Sequence, residues 1–198
     1  MITKRLFDLF FSIIGSIVLS PIFIMIAVWI KLDSPGPLFF HQTRVGRFGC
    51  PFQICKFRTM CSDAETKGRL ITVGDDPRIT RSGKFLRRYK LDELQQIINV
   101  VKGEMSLVGP RPEVPRYVSL YPEEVRKKVL SVPPGITDYA SIEYKDENGI
   151  LGRADDPDKA YIEQVMPVKL KYYERYASCH SLWVDFKLIL ATLKAIIT

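Results

Sequence analysis

The chain has 198 residues, 46% of them hydrophobic, which is enough to bury one proper core and calls for no second globular domain. A formal charge of +7 points to an anionic partner, whether nucleic acid, anionic lipid or a phosphorylated substrate. Four irregularly spaced cysteines, Cys50, Cys55, Cys61 and Cys179, fit neither a disulfide scaffold nor a CxxC site and read as reduced thiols, and the separated His41 and His180 argue against a histidine-centred mechanism.

Residues 7–30 read FDLFFSIIGSIVLSPIFIMIAVWI, with Asp8 the single charge. As a straight helix this run is about 36 Å long, and a bilayer core is about 30 Å thick. It is too long for a signal peptide and lacks a small-x-small cleavage site before Lys31. Pro21 removes the amide that would bond the carbonyl of Ile17, so a kink is expected at Ser20-Pro21, with the Ser20 hydroxyl bonding back to the carbonyl of Ser16. Lys4 and Arg5 precede the run and Lys31, Arg44, Arg47, Lys56 and Arg58 follow it. Cations on both sides give no inside-outside asymmetry, as expected when both ends stay in the cytoplasm, although a kinked helix that spans stays open.

After Asp33-Ser34-Pro35-Gly36-Pro37, the runs LFFHQTRV and PFQICKFRT flank a glycine-containing turn and predict a β-hairpin. Residues 62–82 are polar, with turn chemistry at Gly74-Asp75-Asp76-Pro77, and predict a surface loop able to reach over a site. Leu86, Leu94, Ile97, Ile98 and Val101 predict one helix over residues 83–102, ended by Gly103. A short helix is expected over 122–130, a turn at Pro133-Pro134-Gly135, irregular chain to about Asp158, and a helix over 159–176. The last run, LWVDFKLILATLKAIIT, suits a helix at a membrane surface or a core helix.

The chemistry concentrates in Arg87-Arg88-Tyr89-Lys90-Leu91-Asp92-Glu93, where Arg88 and Asp92 would share a helix face at i, i+4. A solvated salt-bridged face needs no function. Downstream, however, Gly109-Pro110-Arg111-Pro112 stiffens the backbone around a guanidinium suited to phosphate, and Lys56 and Arg58 add cations. A carboxylate inside such a pocket suits phosphoryl transfer, where cations and a divalent metal offset diphosphate charge and let the carboxylate approach phosphorus.

Residues 40–60 (FHQTRVGRFGCPFQICKFRTM), LDEL at 91–94, NVVKGEMSLVGPRPE at 99–113 and PPGIT at 133–137 occur in an order that strongly resembles the bacterial sugar transferase family, the monotopic phosphoglycosyl transferases. The similarity runs from Lys4 to about Thr137, with a weaker match beyond. It implies an α+β fold: a re-entrant membrane helix (1–32) broken at Ser20-Pro21, under a small cytoplasmic catalytic part (33–198) with a β-hairpin and interfacial amphipathic helices, all one domain. It also implies an inner-membrane enzyme whose Asp92 attacks the β-phosphorus of a UDP-sugar, releases UMP and passes the phosphosugar to polyprenyl phosphate. In that scheme Glu93 is the second acid of the dyad, Lys56, Arg87 and Arg111 bind phosphates, and Pro134, Gly135, Ile136 and Thr137 form a nucleotide-associated loop. Mg2+ is the implied cofactor, with Asp92 as its protein ligand. Implied partners are a UDP-sugar, polyprenyl phosphate and membrane lipid; homo-oligomer formation stays open.

Three positions depart from the family pattern: Lys90 stands where a small hydroxyl residue is usual, Gln95 where proline is usual, and Asp138 follows the PGIT loop where many members have glycine. Asp138 puts nucleotide or sugar contacts in doubt, and Arg153 is a candidate for a downstream family arginine. Asp155, Asp156 and Asp158 read as turn and capping residues before substrate ligands. The competing reading is a non-catalytic membrane-anchored adaptor that holds anionic lipid or a glycan-pathway partner. No nucleic acid is expected, because the basic residues form no reading motif and the apolar anchor would be unexplained.

Overall fold

In a computed structural model, residues 2–61, 76–144 and 147–197 are described. Helix α1 (Ile2–Asp33) is followed by strand β1 (Phe39–Val45), a tight turn at Arg47–Gly49 and strand β2 (Pro51–Phe57). Then come α2 (Arg81–Arg88), a 3-10 turn (Leu91–Gln96), α3 (Ile97–Lys102), β3 (Ser106–Val108), α4 (Pro115–Val118), α5 (Glu123–Val129) and β4 (Gly135–Thr137). Helices α6 (Tyr139–Glu143), α7 (Glu147–Arg153), α8 (Pro157–Ala160), α9 (Met166–Cys179) and α10 (Leu182–Ile197) complete the chain, with a π turn (Tyr161–Val165) joining α8 to α9. Most of the predicted surface loop over 62–82, including Gly74 and Asp75, lies outside the described residues.

The expected hairpin is present: β1 and β2 pair antiparallel from Phe39↔Phe57 to Val45↔Pro51. The single helix expected over 83–102 is three pieces, because Lys90 adopts a left-handed conformation (φ 54°) that stops α2 and starts the 3-10 turn. Gly103 does end α3, at φ 90°. Chain expected to be irregular before Asp158 contains α6 and α7. The turn at Pro133-Pro134-Gly135 leads directly into β4, which pairs in parallel with β3 through Ser106↔Gly135 and Val108↔Thr137. That pairing needs bare backbone: a Cβ on Gly135 would stand 2.0 Å from the amide nitrogen of Gly109.

Helix α1 is long and apolar enough to cross a membrane, and at 1.5 Å per residue it would measure about 48 Å if straight. Its helical backbone continues through Ser20 and Pro21, so the expected break is not an interruption of helix. The Ser20 hydroxyl donates to the carbonyl of Ile17 (2.7 Å), not to that of Ser16. Ile17 is the carbonyl left without an amide by Pro21, so the serine satisfies what the proline orphans. Buried positions on α1 are Asp8 and Ser12 near one end and Ile26 and Ile30 near the other.

Both ends of α1 are tied to the same body. Arg5 donates to the carbonyls of Val100 (2.5 Å) and Val101 (2.8 Å), closing the carbonyl end of α3, and Lys4 pairs with buried Asp185 of α10 (2.5 Å). At the other end Asp33 accepts the Ser82 amide and hydroxyl, both at 2.8 Å. Ile26 and Ile30 pack with Phe57 and Leu86 in a seam that joins α1, β2 and α2. A larger core under α4–α9 gathers Tyr117, Tyr121, Val165, Leu170 and Tyr173.

Candidate active site

The dyad lies at the start of the 3-10 turn, which packs against both α2 and β2. Left-handed Lys90 reverses the chain, so Asp92 does not continue the face of Arg88 as an i, i+4 helical pair would. Asp92 is nearly buried, at 9% exposure.

Glu93 is fully committed. Arg111 grips its carboxylate with both terminal nitrogens, one contact being Nη1 to Oε2 at 2.9 Å. Lys56, projecting from β2, donates to Oε1 at 2.8 Å. Burial opposes charge on Glu93, but Arg111 and Lys56 outweigh it and hold the acid well below the usual carboxylate range. Asp92 differs. Among the described residues no hydrogen bond and no ion pair engages its carboxylate. Burial and the adjacent Glu93 push its pKa up against the pull of Lys56, Arg87 and Arg111. One acid is clamped and the other is buried without a bonded partner among the described residues.

Arg87 reaches the site from the last turn of α2, held by a bond from Nε to the hydroxyl of buried Thr59 (2.8 Å). The backbone around Arg111 is fixed on both sides. Gly109 donates to Thr137 (3.0 Å), Gly135 donates to the carbonyl of Pro110 (2.9 Å), and Arg44 donates to that of Pro112 (3.2 Å). Behind it, buried Glu113 accepts from Tyr161 (2.6 Å) and Lys169 (3.3 Å) and lies 3.7 Å from Arg44.

The structure therefore brings together Asp92, Glu93, Lys56, Arg87 and Arg111, and sets the loop of Pro134, Gly135, Ile136 and Thr137 beside the arginine segment through β3–β4 pairing. Thr137 turns its hydroxyl to Thr192 of α10 (2.6 Å), away from open solvent. Arg58 is corrected: it leaves the strand at its end, is 4% exposed, and spends its guanidinium on Ser34 (2.7 Å) and the carbonyl of Pro35 (2.8 Å), capping the end of α1. Asp138 caps α6 by accepting the Ser141 amide at 2.7 Å, and Asp156 caps α8. Asp158 accepts from Arg116 and from Tyr117 (2.6 Å). Arg153 lies exposed on α7. Thr59 and Glu113 lie inside the motif runs without a role legible there, and Tyr161 and Lys169 carried no local signal, since the partners of all four are far away in the chain.

A family model described as bacterial sugar transferase matches residues 1–198. The chain belongs to that family. Among relatives of this bacterial sugar transferase, the UDP-N-acetylgalactosamine-undecaprenyl-phosphate N-acetylgalactosaminephosphotransferase of Aeromonas hydrophila is 37% identical over 98% of the chain and 44% of its own length. The UDP-glucose:undecaprenyl-phosphate glucose-1-phosphate transferase of Escherichia coli (strain K12) is 38% identical over 96% of the chain and 39% of its own length. A Caulobacter vibrioides protein with that same name is 34% identical over 98% of the chain and 70% of its own length. The chain thus spans less than half of the first two relatives. Their names differ in the sugar, so family membership does not fix the donor.

Proposed function

We propose that this chain transfers a sugar 1-phosphate from a UDP-sugar to polyprenyl phosphate, through a covalent phosphosugar on Asp92. The observation that carries the reading is the asymmetry of the dyad: Glu93 is clamped by Lys56 and Arg111, while the Asp92 carboxylate has no bonded partner among the described residues. An Asp92 carboxylate oxygen attacks the β-phosphorus. The bond from that phosphorus to the oxygen bridging the α-phosphate breaks, and UMP leaves with the electron pair. A polyprenyl phosphate oxygen then attacks the same phosphorus and displaces the carboxylate, giving polyprenyl diphosphate sugar and regenerating Asp92. Splitting one displacement into two lowers each barrier.

Arg87 and Arg111 lie where they can take the phosphate oxygens, while Lys56 and Arg111 keep Glu93 ionised and in place. Among the described residues no three metal-binding side chains cluster. A single open carboxylate suits Mg2+, which commonly takes one or two carboxylates and completes its shell from substrate phosphates and water. Asp92 would hold it, and when bound the ion supplies charge neutralisation on the diphosphate. The nucleotide lies along the Pro134–Thr137 loop in this reading, against partly exposed Ile136, because the Thr137 hydroxyl is occupied by Thr192 and the Gly135 amide and Thr137 carbonyl by the arginine segment.

The same reading makes α1 re-entrant, with both ends on the cytoplasmic face of the bacterial inner membrane and residues 33–198 as the catalytic part. Support comes from the ties of Arg5 and Asp33 to one body, and from burial confined to the two ends of the helix. A helix crossing the bilayer would separate those ends by about 30 Å of hydrocarbon.

The test uses donor labelled in the sugar phosphate. Unaltered protein should retain label covalently and release UMP before acceptor is added. Asp92→Asn should do neither, with turnover reduced about 10^3-fold or more. Unchanged turnover in that variant would remove Asp92 as the nucleophile.

A further inference from the structure

Three aromatic side chains form a continuous, exposed ladder between the membrane helix and the dyad. Trp29, in the last turns of α1, is 5.2 Å from Phe85 of α2 between ring centroids, and Phe85 is 4.7 Å from Tyr89. Each is about 40% exposed, at 39%, 43% and 41%. Tyr89, the residue that caps α2, stands one turn beyond Phe85, and the two rings lie together at the end of that helix. The upper rung is cationic: the Arg88 guanidinium lies 5.8 Å from the Tyr89 ring, exposed Lys90 follows, and Asp92 begins the next turn.

Apolar rungs running from an apolar helix to exposed cations in the segment that leads directly into the dyad match one kind of ligand, a long apolar chain with an anionic head. We propose that Trp29, Phe85 and Tyr89 form the track on which the isoprenoid chain of the polyprenyl phosphate lies, and that Arg88 and Lys90 receive its phosphate. The assignment rests on the transfer reaction proposed above and adds the acceptor path to it. Aromatic faces suit the chain because each offers a large rigid apolar surface that loses little conformational freedom on binding. Head capture by exposed cations then aligns an acceptor oxygen with the phosphosugar held on Asp92.

The two half-reactions separate this track from an ordinary aromatic anchor in bulk lipid, as an interfacial tryptophan would be. Trp29→Gln, Phe85→Gln and Tyr89→Gln, each at a partly exposed position, are compared with unaltered protein and with Tyr89→Phe. Covalent labelling by donor without acceptor reports whether the site is folded and competent, and should be unchanged. With full-length polyprenyl phosphate as the chase, the acceptor KM should rise about tenfold for each glutamine variant, from loss of one aromatic contact. It should stay unchanged for Tyr89→Phe. With a short water-soluble isoprenyl phosphate the glutamine variants should match unaltered protein, and their binding to vesicles of phosphatidylethanolamine and phosphatidylglycerol should be intact.

The track is overturned if long-chain KM is unmoved, if short and long acceptors suffer equally, or if vesicle binding falls in parallel with transfer. Variants that fail to label are replaced by the leucine substitutions at the same positions, which keep apolar bulk without a ring and should show a smaller rise in KM. Absence of label in unaltered protein is a different failure, because it removes the covalent mechanism itself.

Discussion

Two adjacent acids, Asp92 and Glu93, share a backbone turn yet lie in opposite electrostatic circumstances. Glu93 is neutralised by a lysine and an arginine at contact distance, whereas Asp92 feels the same cations at longer range and feels its neighbour's negative charge directly. The support for Arg87 is equally specific. Its Nε bonds the hydroxyl of buried Thr59, which fixes the direction of the guanidinium. Thr59→Val keeps the shape and deletes the acceptor, and should lower kcat for donor-dependent labelling about tenfold, the scale of one hydrogen bond to a charged group. Thr59→Ser should remain within about twofold of unaltered protein, and equal losses in both variants would refute the positioning role.

That dyad was legible at the level of residue type, since carboxylates among cations and a stiffened arginine point to phosphate chemistry. Its local conformation was not. Lys90 in a left-handed conformation is a choice that tertiary packing imposes on a residue with no preference for it, so apolar spacing alone predicted one unbroken helix. Arg58 was misplaced for a related reason. Its charge resembled that of Lys56, two positions earlier, but only the end of β2 at Phe57 and the approach of α1 turn it into a cap for that helix.

At the scale of elements, α1 carries the strongest regularity and the least obvious topology. The Ser20-Pro21 pair lets a proline sit inside helical backbone, because a hydroxyl replaces the missing amide as partner of the Ile17 carbonyl. Around that pair Ile17, Val18, Ile24 and Met25 are more than three-fifths exposed, while the buried positions lie to either side of it, at Asp8 and Ser12 and at Ile26 and Ile30. Tags attached at the two ends of this chain should therefore label from the same side of oriented membrane vesicles. Labelling from opposite sides would convert α1 into a spanning helix. The final helix answers the choice between surface and core with both: Leu188 and Asp185 are buried, and Trp183, Phe186, Leu190 and Leu193 form an exposed apolar stripe at three-four spacing.

Across the whole molecule, the arginine loop is held by a buried network that joins distant segments: Arg44 on β1, Glu113 after the Gly-Pro-Arg-Pro turn, Tyr161 in the π turn and Lys169 on α9. Burial opposes the Glu113 charge, but Lys169, Arg44 and the Tyr161 hydroxyl lower its pKa on balance. A depressed folded pKa contributes stability that is present above the unfolded carboxylate value, near pH 4.3, and is lost as pH falls through the folded value. Glu113→Gln should lower stability near neutral pH by about 3 kcal/mol, because the buried Lys169 charge loses its partner. Its Tm should then fall less between pH 7 and pH 3 than that of unaltered protein, measured in detergent micelles. Parallel Tm profiles would show that Glu113 does not contribute to the acid sensitivity.

Residue chemistry by itself determined the apolar amino-terminal helix, the hairpin, the acidic dyad among cations and the family, because each is written in short-range patterns of polarity and motif order. Tertiary structure decided which acid is clamped, where Arg58 goes, how the three-residue strand β4 reaches the arginine segment, and which aromatic rings stand against Trp29. Those outcomes depend on contacts between residues far apart in the chain, such as Lys56 with Glu93, Thr59 with Arg87, and Trp29 with Phe85. Local propensity carries no information about such pairs, since either partner would show the same local pattern whatever stood opposite it in the fold.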